Sequence, residues 1–109
     1  MMAEIYWIYI LECSNGSYYT GHTNNISRRY KEHTRGSARF TRSFKPVRIA
    51  QLWKLNGTKG NAMTVEAFIK RNNRKYKEEL VKNPGKLKKQ VLQKLGIDVK
   101  LSKTRIPAD

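Results

Sequence analysis

Five side chains carry the chemical interest of this sequence. Tyr9 and Tyr19 stand ten positions apart, Arg29 and His33 follow four apart, and Glu66 comes later on its own. Hydrolysing a phosphodiester requires an activated water, charge compensation on the phosphoryl oxygens, and help for the leaving oxygen. A carboxylate-held metal ion can supply much of this. Of the 8 acidic residues, only Glu12 and Glu66 fall beside predicted core. That is too few for a site in which several acids hold two metals. Phosphodiester chemistry here would be a one-metal design, with arginine and tyrosine supplying the rest.

The elements that must position these groups can be read in order. Residues 5–12 (IYWIYILE) are β-branched and aromatic with almost no polar interruption, as in a strand buried on both faces. Ser14-Asn15-Gly16 signals a turn, and 17–22 returns as a second strand. A two-residue loop would pair Tyr9 with His22 and set the tyrosines on opposite faces. A three-residue loop with Gly16 left-handed would pair Tyr9 with Gly21 and put both on one face. The local sequence permits either.

Asn24 or Asn25 caps a helix over 26–34. Its inward face reads Ile26, Arg29, Tyr30, His33, and a guanidinium on such a stripe needs a partner or a task. A basic loop (35–45) leads to a third strand over 47–55. Asn61 is the expected cap of a second helix with the stripe Ala62, Val65, Phe68, Ile69, and Glu66 borders that stripe. Helices over 74–81 and from Pro84 to Leu95 follow, the last stopped by Gly96. Residues 97–109 carry no pattern. Trp7 and Trp53 read as core.

Composition narrows the partners. Lys plus Arg number 23 against 8 acids, a net charge of +15. Ten basic and four acidic residues lie up to Ile69, thirteen and four beyond it, so the excess belongs to the whole surface. Polyanions, nucleic acid above all, are the natural partners. One cysteine (Cys13) allows no internal disulfide, and with 2 histidines it offers no zinc site of ordinary spacing. The longest apolar run, IYWIYIL, is too short for a membrane span. A soluble, cytoplasmic chain is expected.

Trp7-Ile8-Tyr9 and Tyr19-Thr20-Gly21 together resemble the paired signature of the GIY-YIG nuclease superfamily. The stretch from Thr23 to Arg29 with His33 is similar to that family's arginine-bearing helix, and Ala62 to Glu66 with Ile69-Lys70 to its glutamate-bearing helix. The likeness is greatest to small stand-alone members, whose pattern Phe40-Thr41-Arg42 and Pro46-Val47 also fit. It covers roughly residues 5–80. Trp7 and Thr20 depart from the glycine and isoleucine of the family name.

The resemblance implies a small mixed three-stranded α/β sheet flanked by helices. A nuclease-like domain is expected over 1–83, with 84–109, outside the resemblance, a basic helical extension packing on or flanking it. Glu66 would hold one Mg²⁺ or Mn²⁺, Arg29 would stabilise the scissile phosphate, and Tyr9 and Tyr19 would flank the attacking water. His33 would contact phosphate, orient a tyrosine or protonate the leaving group. The tyrosine roles favour the three-residue loop. A tyrosine base would need the metal or Arg29 to lower its pKa. His22, Arg28, Arg39, Arg42 and Lys70 are the candidate nucleic-acid contacts. The expected activity is endonucleolytic, on DNA rather than RNA, with low sequence specificity, from a monomer or weak dimer. The alternatives are a non-catalytic nucleic-acid-binding module and a basic subunit of a larger DNA-processing complex.

Overall fold

The computed structural model describes residues 4–35 and 45–102. The candidate contacts Arg39 and Arg42 lie outside them. Strands β1 (Glu4–Cys13) and β2 (Tyr18–Thr23) precede helix α1 (Ile26–Thr34) and strand β3 (Pro46–Gly57). Helices α2 (Lys59–Lys70), α3 (Arg74–Lys82) and α4 (Gly85–Leu95) follow, and a two-residue strand β4 (Lys100–Leu101) closes the order.

The α/β expectation holds, but the sheet has four strands in the order β2-β1-β3-β4, and every pairing is antiparallel. The direction of β3 follows from the path of the chain. β2 ends opposite Trp7, and α1 starts from there. The chain is again beside the hairpin turn at Lys45, whose carbonyl accepts from the Ser14 amide at 2.8 Å. Pro46 then pairs with Cys13, so β3 runs back down β1. β4 was illegible because two residues, Lys and Leu, form no pattern. What places it is Val99, fully buried, and the Ser102 amide, which donates to the Leu52 carbonyl at 3.0 Å.

β1 is buried on both faces, as its composition requires. On one face Ile8 and Ile10 join Trp53 and Leu55 of β3 beneath Ala62, Val65, Phe68 and Ile69 of α2, with Leu80, Leu87, Val91 and Val99 completing the cluster. On the other, Tyr9, Leu11 and Leu52 pack with Ile26 of α1. Each fully buried aliphatic side chain contributes about 1.5–3 kcal/mol relative to exposure, so both faces are needed by a chain of this size. Trp53 is core and donates its indole N–H to the Pro84 carbonyl at 3.1 Å. Trp7 is only half-buried, at the rim of the α1 face.

Asn25 caps α1 by accepting from the Arg28 amide. The cap of α2 is Thr58 rather than Asn61. Its hydroxyl accepts from the Asn61 amide at 3.0 Å, so Asn61 sits inside the first turn. Gly96 ends α4 in the left-handed region at φ 69°. Among the described residues no helix is long and apolar enough to cross a membrane.

Candidate active site on the edge of the sheet

The hairpin adopts the three-residue loop. Gly16 has φ +83°, and its amide donates to the Cys13 carbonyl at 2.8 Å. The register therefore pairs Leu11 with Tyr19 and Tyr9 with Gly21, and both tyrosines face α1. Their ring centroids are 6.4 Å apart. Opposite Tyr9, Gly21 has a job that strand propensity does not describe. The Tyr9 ring crosses it so closely that a β-carbon there would lie 2.4 Å from the hydroxyl oxygen. A glycine inside a strand marks such an approach, and this was the readable signal for Gly21 once the register was known.

His33 comes from the last turn of α1 and is fully buried. Its Nε2 is 3.0 Å from the Tyr9 hydroxyl, and its ring lies edge-on to both tyrosines, 5.7 Å from Tyr9 and 5.1 Å from Tyr19. Burial, helped by the positive charge of Arg29, depresses the imidazole pKa to about 4. The ring is therefore neutral at physiological pH. Burial also raises the Tyr9 phenol to about 12, against the opposing influence of Arg29. The protein alone thus does the reverse of what a tyrosinate base needs, and Tyr9 is a neutral phenol hydrogen-bonded to a neutral imidazole.

Arg29 is half-buried beside Tyr9, and its Nη1 donates to Glu32 Oε1 at 3.0 Å. Burial works against its charge, but the contacts with Tyr9 and Glu32 outweigh this and leave its pKa raised. Its position on the inward stripe is thus explained in part by a partner one turn on. Arg28 is exposed at the start of the same helix.

Glu66 approaches from the other side of β2. Its Oε1 is 2.9 Å from Nδ1 of His22, and its Oε2 is 3.3 Å from Nζ of Lys70. Its side chain is 21% exposed, at the border of the α2 stripe. His22, paired opposite Ile8, faces α2 and spends one ring nitrogen on Glu66. Lys70 joins the two halves, with Nζ 5.6 Å from the Tyr19 ring centroid, and the charge of Glu66 reaches Tyr9. The edge strand therefore brings Tyr9, Tyr19, Arg29 and His33 on one face close to Glu66, His22 and Lys70 on the other. Sequence reasoning gave the members and, as one alternative, a tyrosine partner for His33, but not the His22–Glu66 contact, which joins elements 44 residues apart.

No group of three or more His, Cys, Asp or Glu gathers among the described residues. A single carboxylate, partly open to solvent, fits a hard cation that keeps most of its waters, such as Mg²⁺ or Mn²⁺. It does not fit a closed cage of protein ligands.

Residues 5–79 match the family described as the GIY-YIG catalytic domain. The UPF0213 protein BH0048 of Halalkalibacterium halodurans is 41% identical over 81 residues, covering 73% of this chain and 85% of that protein. A UPF0213 protein of Bacillus cereus is 43% identical over 72 residues, covering 65% of this chain and 74% of its own. A solution NMR structure of the UPF0213 protein BH0048 from Bacillus halodurans overlays with a TM-score of 0.47 at 40% identity, over 72% of this chain and 83% of that one. The matched span contains Tyr9, Tyr19, Arg29 and Glu66, and the chain belongs to the GIY-YIG superfamily.

Proposed function

We propose that this protein is a divalent-metal-dependent phosphodiesterase that cuts within DNA strands. The observation that carries the reading is the convergence at one sheet edge of a buried phenol–imidazole pair, an adjacent guanidinium and a partly open carboxylate. Low sequence preference is expected where contacts go to phosphates rather than base edges.

Mg²⁺ or Mn²⁺ held by Glu66 would stabilise charge on the phosphoryl group and make a bound water more acidic. The chain's own residues do the rest. Tyr9 donates its hydroxyl proton to Nε2 of His33 and accepts from Arg29, which leaves one lone pair of its oxygen to orient the attacking water. As the water's oxygen bonds to phosphorus and its proton goes to Tyr9, the Tyr9 proton passes to His33, so no free tyrosinate is needed; the bond from phosphorus to the leaving oxygen breaks, and that oxygen takes a proton from solvent. The incoming phosphate, an anion, raises the proton affinity of an imidazole that burial and Arg29 otherwise hold down. Arg29 offers its fork of N–H donors to the phosphoryl oxygens. Its contact with Glu32 is a half-exposed surface pair worth little, and so is readily exchanged. Tyr19 and Lys70 wall the opposite side.

Plasmid cleavage with Mg²⁺ or Mn²⁺ tests the relay. Loss of a positioned proton-transfer group costs about 100-fold or more in rate, so Tyr9→Phe should fall by that much while binding DNA normally. Cleavage by Tyr9→Phe at the wild-type rate contradicts the assignment.

A further inference from the structure

Beyond the cleavage site, at the junction of α2 and α3, three cations lie together. Lys70 ends α2, Arg74 opens α3, and Lys77 follows one turn on. Lys70 and Arg74 flank the hairpin. Lys70 Nζ is 5.6 Å from the Tyr19 ring centroid, and Arg74 Cζ is 4.5 Å from that of Tyr18. Arg74 is held in place by three contacts: stacking on Tyr18, Nε on Glu78 Oε1 at 3.0 Å, and Nη1 on the Gly16 carbonyl at 2.5 Å. Lys77 is half-buried. Burial first, then the charges of Lys70 and Arg74, lower its pKa.

Folding does not call for this cluster, since like charges packed together disfavour the compact state. Four cations elsewhere on the described surface have an ion-pair partner of their own: Arg29 with Glu32, Arg48 with Glu12, Lys86 with Glu79, Lys88 with Asp98. Here Glu66 pairs with Lys70 and Glu78 with Arg74. If Glu66 is given over to a metal, as the proposed function requires, Lys70 loses its share. The cluster then wants an anion with regularly spaced charges.

We infer that Lys70, Arg74 and Lys77 form a phosphate track that holds the nucleic-acid backbone leading away from the scissile bond, along the Tyr18–Tyr19 edge and over α3. The inference rests on the proposed function for its direction, because it takes Glu66 as the point where the track begins. Arg74 supplies a fixed fork for one phosphate, and Lys70 and Lys77 supply point charges on either side.

The test is equilibrium binding of a short labelled DNA by the full-length protein in EDTA, by fluorescence anisotropy, across a salt series. Each phosphate contact contributes about 0.9 to the slope of log K against log salt. Lys77→Ala should therefore lower the slope by about 0.9, and its affinity deficit should shrink about 3.5-fold between about 50 and 200 mM salt. Lys89→Ala, an equal charge change on the exposed face of α4, should leave the slope near that of wild type. Lys77→Ala should also be at least as stable in urea, because it relieves repulsion. Equal slopes for the two variants would overturn the track and leave the nuclease reading intact, as would lost stability with unchanged affinity. A Lys77-specific slope in a protein that never cuts with metal would uphold the track and remove the hydrolytic reading. Failure of wild type to bind nucleic acid would overturn both.

Discussion

Gly21→Ala tests whether Tyr9 really crosses the edge strand. The β-carbon would sit 2.4 Å from the Tyr9 hydroxyl oxygen and 2.5 Å from Cζ, whereas carbon atoms rest at about 3.5–4.0 Å. The ring tip must withdraw by about 1 Å, and its 3.0 Å contact with His33 Nε2 is then broken. Overpacking costs about 1–3 kcal/mol, and the lost hydrogen bond about 1 kcal/mol more. The expected destabilisation is therefore about 2–4 kcal/mol, set against the gain of up to about 1 kcal/mol that Gly→Ala gives at an unstrained site. Urea denaturation reads this as a lowered midpoint with an unchanged slope. In a Tyr9→Leu background the collision is gone, and the same substitution should be neutral or stabilising, a coupling of about 2 kcal/mol or more between the two positions. A Gly21→Ala protein as stable as wild type, or additive effects in the double variant, would refute the crossing and with it the placement of the phenol.

Two further outcomes concern buried polar groups. His33 has a folded pKa of about 4, below its unfolded value of about 6.5, so the unfolded chain binds the proton first. Its contribution is complete above pH 6.5 and is lost as pH falls toward 4, on the order of 3 kcal/mol in all. His33→Gln should flatten the fall in stability over that window, and an unchanged profile would show that His33 is not held neutral. The Thr20 hydroxyl is buried with no hydrogen-bond partner among the described residues. Thr20→Val keeps the shape and the strand preference, and should raise stability by about 1 kcal/mol; a loss would reveal a partner for the hydroxyl.

The parts of the molecule legible in its sequence are those fixed by local periodicity. The unbroken apolar run of β1 required burial on both faces, and the stripe Ala62, Val65, Phe68, Ile69 gave α2 its inward side. Gly96 could only be a left-handed stop. Where two local solutions compete, the tertiary contacts choose. The local sequence left the hairpin loop open until Tyr9 and Tyr19 had α1 to pack against, and Thr58 caps α2 in place of the expected Asn61. β4 exists only because Val99 finds the core. The candidate site was legible as residue types in the order the resemblance implies, but not as a set of contacts. His22, a candidate nucleic-acid contact, meets Glu66, a pairing across elements that no spacing rule contains.

The central claim is that Glu66 anchors a hydrolytic site rather than a surface ion pair. The direct measurement is cleavage of plasmid and branched DNA with Mg²⁺ or Mn²⁺ by wild type and by Glu66→Ala, with DNA binding followed in parallel. The account predicts that wild type cuts, and that Glu66→Ala binds DNA at least as well but does not cut. Equal cutting by both, or equal binding with no cutting by either, would contradict it.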